Sequence, residues 1–155
     1  MASNLRVIID NVQSKIKIPS GTRMLVRRSC HAALQHENYD NQTEITVNFT
    51  DNDLLSANSH LRASNCEAPE IIASPSQEDG ESLGLLIISV EKVLELTRIY
   101  NRPFEMGIVY ASVHGVFNLL GEYYTDQRAK DDLMQKEAFV MSQLGFAPLA
   151  ENSGR

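Results

Sequence analysis

The amino-acid sequence predicts an α/β domain of α+β-like character: one small mixed sheet of about four strands packed with about five helices. Three observations predict it. Thr43 to Thr50 alternates apolar and polar residues, as a half-buried strand does, and Leu83 to Val90 is an almost unbroken apolar run of strand length. Between and after these runs lie segments with apolar residues at helical spacing. At 155 residues, 43% of them hydrophobic, the chain fits a single domain over residues 1–155 with a full core.

In order, Leu5 to Asp10 is short and β-branched and reads as a strand. Pro19-Ser20-Gly21 supplies a turn, after which Ser20 or Thr22 can cap a helix running to about Gln35. Met24, Leu25, Cys30 (or Val26), Ala33 and Leu34 form its imperfect apolar face. In the strand Thr43 to Thr50, Ile45, Val47 and Phe49 face the core, while Glu44, Thr46 and Asn48 face the other way. Asp51-Asn52-Asp53 caps a short helix carrying Leu54, Leu55 and Leu61, with Arg62 at or just beyond its end. Residues 63–82 are rich in Ser, Asn, Pro, Glu, Asp and Gly and are expected to form a mobile loop region. Within it Ile71-Ile72-Ala73 can make a brief edge strand, bounded by Pro69 and Pro75. Leu83 to Val90 then reads as a central strand covered on both faces. A helix from about Glu91 to Tyr100 breaks at Asn101-Arg102-Pro103, and Pro103 fits the first turn of the next helix, which ends at Gly121. The last helix runs from near Asp126 to Gly145, with Leu133, Met134, Glu137, Met141 and Leu144 in register. Residues 147–155 read as a flexible tail.

Composition excludes several classes. No segment approaches the length of apolar run that crosses a bilayer, and the first residues lack the apolar stretch of a secretory signal. Cys30 and Cys66 have neither metal nor redox spacing and read as reduced thiols of a cytoplasmic protein. The formal charge of −6 gives no general attraction to nucleic acid. RNA binding therefore requires a local patch, which Arg23, Arg27 and Arg28, or Arg62, Arg98 and Arg102, can supply, unless they are simply solvated helix cations. No partner role for DNA or a membrane is expected.

The chemistry centres on His114-Gly115-Val116-Phe117-Asn118-Leu119-Leu120-Gly121. His114 and Asn118 are four apart and share a helix face, while Val109, Val113, Val116, Phe117 and Leu120 make a wide buried stripe. An imidazole and an amide on a buried helix need polar partners or a pocket. Gly121 suits a left-handed helix end, after which Glu122, Tyr123, Tyr124 and Asp126 can fold back toward His114.

Running on through Glu122-Tyr123-Tyr124, this stretch resembles the H-G-x-L-H-L-x-G-Y-D-H signature of the YbeY family of rRNA maturation factors, metal-dependent single-strand endoribonucleases. Thr43 to Asn52 is similar to the family's strand and D-N corner, Asn58-Ser59-His60-Leu61-Arg62 to its N-x-x-Y-R segment, and Leu83-Gly84-Leu85-Leu86-Ile87-Ile88 to L-G-D-I-x-I. The likeness covers roughly residues 5 to 146 and implies the family's fold. It also implies rRNA or single-stranded RNA as substrate, with ribosomal proteins or the small ribosomal subunit as neighbours.

In the family three histidines hold the metal, usually zinc. Here those positions are His114, Asn118 and Tyr124. The stretch Arg62 to Ser74 keeps little of the family's R-x-x-D-x-P-T-D-V-L-S-F-P beyond Arg62, and Leu85 stands where the family has an acid. The resemblance implies catalytic roles for His114, on the metal, and Arg62, on the phosphate. An amide oxygen is a poor zinc ligand and a neutral phenol rarely one, so zinc is expected to bind weakly or not at all. Glu122 or Asp126 can stand in, giving a site better suited to manganese or magnesium. Otherwise His114 and Asn118 are hydrogen-bonded to each other or to nearby backbone.

Metal-free cleavage would use His114 as base, Arg62 on the phosphate and His60 as the nearest acid, although His60 also reads as an exposed helix histidine. His31, His36 and the cysteines form no constellation, and Gly80 and Gly84 are too isolated for a phosphate loop. Three functions remain open: a metal-dependent endoribonuclease in ribosome maturation, with RNA contacts from Arg62, Arg98 and Arg102; a non-catalytic homologue binding rRNA or a ribosomal protein through the same groove; and a small protein–protein interaction domain.

Overall fold

The computed structural model describes residues 4–62, 68–78 and 80–146. Of the segment expected to be mobile, residues 63–67 and 79 lie outside the described residues, as do Cys66 and the tail 147–155. Strand β1 (Leu5–Asn11) leads through α1 (Thr22–His36) to β2 (Thr43–Thr50), then α2 (Asn52–Ala57) and a 3-10 turn, Ser59–Leu61. Strands β3 (Ile71–Pro75) and β4 (Ser82–Ser89) precede α3 (Val90–Tyr100), α4 (Phe104–Leu119) and α5 (Gln127–Gln143). The sheet order is β1-β2-β4-β3. β1, β2 and β4 run parallel and β3 pairs antiparallel on the edge. This is the small mixed sheet with five α-helices that the sequence predicts.

One face of the sheet carries Val7, Ile45, Val47, Phe49, Ile71, Leu86 and Ile88 into a core shared with α1, α4 and α5. The other face of β3 and β4 carries Ile72 and Ile87 against Leu55 of α2. β4 is thus central and covered on both faces, which explains its unbroken apolar run. α4 lies at the heart of the molecule and is buried from Met106 to Leu119 on nearly every side, Tyr110 being the exception. Gly115 permits this closeness: a Cβ there would lie 2.7 Å from Ile71 Cδ1 and 2.9 Å from Leu86 Cδ2.

Several boundaries differ from expectation for identifiable reasons. Neither Ser20 nor Thr22 caps α1; Gly21 holds the N-cap in a left-handed conformation with no side-chain bond. Met24 is exposed and Val26 takes its place in the core, because the helix is rotated toward Cys30, Ala33 and Leu34. Asp51 caps α2 by accepting from Leu54 N, but that helix stops at Ala57, leaving Leu61 in the 3-10 turn. Pro103 precedes α4 as its N-cap rather than entering the first turn. Met134 is partly exposed, its expected core place being filled from Leu133, Glu137, Val140 and Met141. Among the described residues no helix is long and apolar enough to cross a membrane.

Candidate functional site: a buried histidine clamp

α4 ends in a Schellman arrangement. Glu122 N–H donates to Phe117 O (2.9 Å) and Gly121 N–H to Asn118 O (3.0 Å), with Gly121 left-handed at φ 92°. Asn118 reinforces this turn by donating from Nδ2 to Glu122 O at 2.7 Å. The chain then folds back, as expected, and delivers Tyr124 to the flank of His114.

The side chain that organises the site comes from α5. Glu137 is 2% exposed, and its two carboxylate oxygens serve two partners. Oε2 lies 2.5 Å from His114 Nδ1, and Oε1 accepts the Tyr124 hydroxyl at 2.6 Å. The His114 ring lies between two phenols: stacked on Tyr110 at 5.4 Å between centroids, and tilted against Tyr124 at 4.8 Å. The two hydroxyls are 3.1 Å apart. Burial, with Glu137, Tyr124 and Glu70 nearby, pushes the Tyr110 phenol well above its ordinary value, so it remains neutral.

A second buried carboxyl, Glu70, stands just before β3 at 2% exposure. Its main-chain carbonyl accepts from Ser89 N–H at 2.9 Å, whereas its side-chain Oε1 has no hydrogen-bond partner among the described residues. Burial raises its pKa, and its own backbone amide, His114, Arg102 and Arg62 partly offset this.

The remaining residues singled out from sequence lie around this centre. His114 and Tyr124 are brought together ring against ring, and both bond Glu137. Asn118 points to backbone. Glu122 pairs with Lys136, which also lies 3.2 Å from Glu37, and Asp126 caps α5 by accepting from Ala129 N–H at 2.8 Å. Arg62 donates from Nη1 to Ala68 O (2.9 Å) and Ile71 O (3.2 Å), fixing the approach to β3. It lines a cleft of about 290 Å³ with Asn52, Leu55, Ser56, Ser59, Pro69 and Lys92. His60 and Arg98 are exposed, and Arg102 is half-buried with its guanidinium 5.5 Å from the centre of the Tyr100 ring.

These residues do not fit a zinc centre of three nitrogen ligands. The imidazole is clamped by Glu137, the amide and phenol at the companion positions have other partners, and both carboxylate stand-ins are committed elsewhere. Among the described residues no three His, Cys, Asp or Glu side chains converge for a metal. Glu137 and Glu70 were missed as site residues. For Glu137 a signal existed: it occupies a core position in the helical register between Leu133 and Met141. An acid in an apolar stripe requires a buried partner. Glu70, beside a proline in a polar stretch, gave none.

A family model described as Endoribonuclease YbeY matches residues 8–145. Relatives named Endoribonuclease YbeY include one from Alkaliphilus oremlandii, 26% identical over 149 residues and covering 92% of this chain and 99% of the relative. Another, from Caldanaerobacter subterraneus subsp. tengcongensis, is 29% identical over 158 residues, with 92% and 99% covered. A Thermotoga maritima protein of known solution structure has the same fold, with a TM-score of 0.57 at 14% identity, covering 90% of this chain and 91% of that one. The chain belongs to the YbeY family.

Proposed function

We propose that this YbeY-family chain is a cytoplasmic ribosome maturation factor that binds single-stranded rRNA, beside ribosomal proteins or the small subunit, and does not cut RNA by the zinc route. Family membership supports the ribosomal role and RNA as the ligand. The observation that carries the second half is the clamp: the one imidazole at the family's ligand positions is 1% exposed and bonded to Glu137, which also binds Tyr124. A hydrolytic metal site needs several donors converging on an open position for water. Here His114 and Tyr124 are spent on Glu137, and Asn118 on the Glu122 carbonyl. The same burial argues against His114 as a metal-free base, because a base must reach the proton it takes. Arg62, Arg98 and Arg102 remain the cations offered to phosphate.

Three measurements test this together. Elemental analysis of protein purified without chelator is expected to give below about a tenth of an equivalent of zinc, manganese or iron, for the parent and for His114→Ala. A full equivalent in the parent, lost in the variant, would overturn the metal-free reading. Single-stranded RNA is expected to survive incubation with the protein, with or without added metal. Deleting the gene is expected to leave extended rRNA termini, mapped by primer extension; normal termini would sink the maturation role.

A further inference from the structure

We infer that Tyr100, backed by Arg102 and flanked by Arg98, is a stacking platform for one unpaired RNA base. The inference rests on the RNA-binding reading above and assigns it a site. Tyr100 is the last residue of α3 and is 61% exposed, next to Ile99 at 70%. Large apolar surface left in water at a helix end does nothing for folding and suits a ligand with its own flat face.

The local backbone builds this platform. Asn101, left-handed at φ 51°, is one of two non-glycine residues with positive φ among the described residues. Its turn reverses the chain, so that Arg102 N–H donates to Thr97 O at 3.1 Å. The reversal sets the Arg102 guanidinium 5.5 Å from the centre of the Tyr100 ring, and Pro103 then starts α4. Arg102 also lies within electrostatic reach of the buried Glu70. Tyrosine loses little rotamer freedom on binding, and a guanidinium over an aromatic ring is a recurrent support for base stacking.

Charge selects the occupant. The chain carries −6 overall, yet Arg98 and Arg102 bracket this aromatic residue, and a polyanion with planar bases matches both features. A duplex hides its bases, so the platform selects single strands.

The test is fluorescence anisotropy with a labelled ten-nucleotide single strand, its hairpin counterpart, and a copy with one abasic position, at several salt concentrations. Tyr100→Ala is expected to weaken single-strand binding about 5- to 150-fold, the range for losing one stacked base, without changing the salt slope. Tyr100→Phe is expected to bind like the parent, and Arg98→Ala to reduce the salt slope by about one. The abasic strand, placed at the responding position, should lose affinity for the parent but not further for Tyr100→Ala. Binding by the parent with no loss in Tyr100→Ala overturns the platform and leaves the RNA reading intact. An equal loss in Tyr100→Phe points to the hydroxyl and overturns stacking. Absence of RNA binding by the parent overturns both. Tyr100 is exposed, so thermal melting of each variant should match the parent.

Discussion

Glu137 is the residue on which the buried site depends. It satisfies the His114 imidazole and the Tyr124 hydroxyl at once, in surroundings from which water is excluded. Replacing it with alanine removes the partner of a buried imidazole nitrogen and one of the two partners of the Tyr124 hydroxyl, so Glu137→Ala is expected to cost roughly 3 kcal/mol of stability in urea unfolding. A change within about half a kcal/mol would mean that the clamp is not formed in solution. Glu70 gives the opposite sign. Burial raises its carboxyl above the ordinary range, so the native state holds its proton more tightly than the unfolded chain does. Its contribution is therefore most favourable below the ordinary carboxylate pKa and is lost as pH rises through the raised value. Glu70→Gln removes that penalty. The variant should gain on the parent as pH rises from about 4 to about 8, with the urea midpoints converging at the acid end. Parallel profiles would remove Glu70 from the buried set.

At the scale of elements, α4 meets the sheet through the missing side chain of Gly115. Alanine is the better helix former by about 1 kcal/mol, yet its Cβ would press on Ile71 and Leu86 at 2.7 and 2.9 Å. Both contacts are with side-chain ends inside a filled core, so packing outweighs propensity. Gly115→Ala is expected to lower stability by about 1–3 kcal/mol, read from thermal or urea unfolding, and a stabilised variant would show that α4 stands further from the sheet. Most elements were legible in the sequence because their signals are local. The alternation in β2, the unbroken β4 and the Asp51 cap each sit within a few residues of what they specify. What stayed hidden depends on which elements meet. β4 carries an extra residue beside Gly84, since Glu44 pairs with Ser82 but Ile45 with Gly84. Gly84, at φ 142°, allows this while its Cα lies close to the backbone of Ser74 and Pro75. No pattern within β4 announces that shift. The site divides the same way: His114 and Asn118 were legible as a shared helix face, and the turn after α4 as folding back toward them, whereas the partner from α5, Glu137, follows only from packing.

At the scale of the whole molecule, the layers close around α4 so completely that one thiol reports on all of them. Cys30 lies on α1 at 0% exposure, within the core shared with α4 and the sheet, and burial pushes its thiol up to about 12. At pH 8 only about one such thiol in ten thousand would be ionised, and the reagent cannot reach it without parting α1 from the core. α1 packs against α4, and α4 against the sheet and α5, so local fraying at a helix end does not open this position. Cys30 should thus react only through global unfolding. In a Cys66→Ser chain, labelling by a thiol-specific disulfide reagent at pH 8 is expected to be complete within minutes in strong denaturant. In buffer it should be slower by a factor set by the unfolding equilibrium, and sub-denaturing urea should speed it with the slope of the equilibrium transition. A fast native reaction, or one insensitive to urea, would mean that α1 opens independently, and the molecule would then be two cooperative units instead of one.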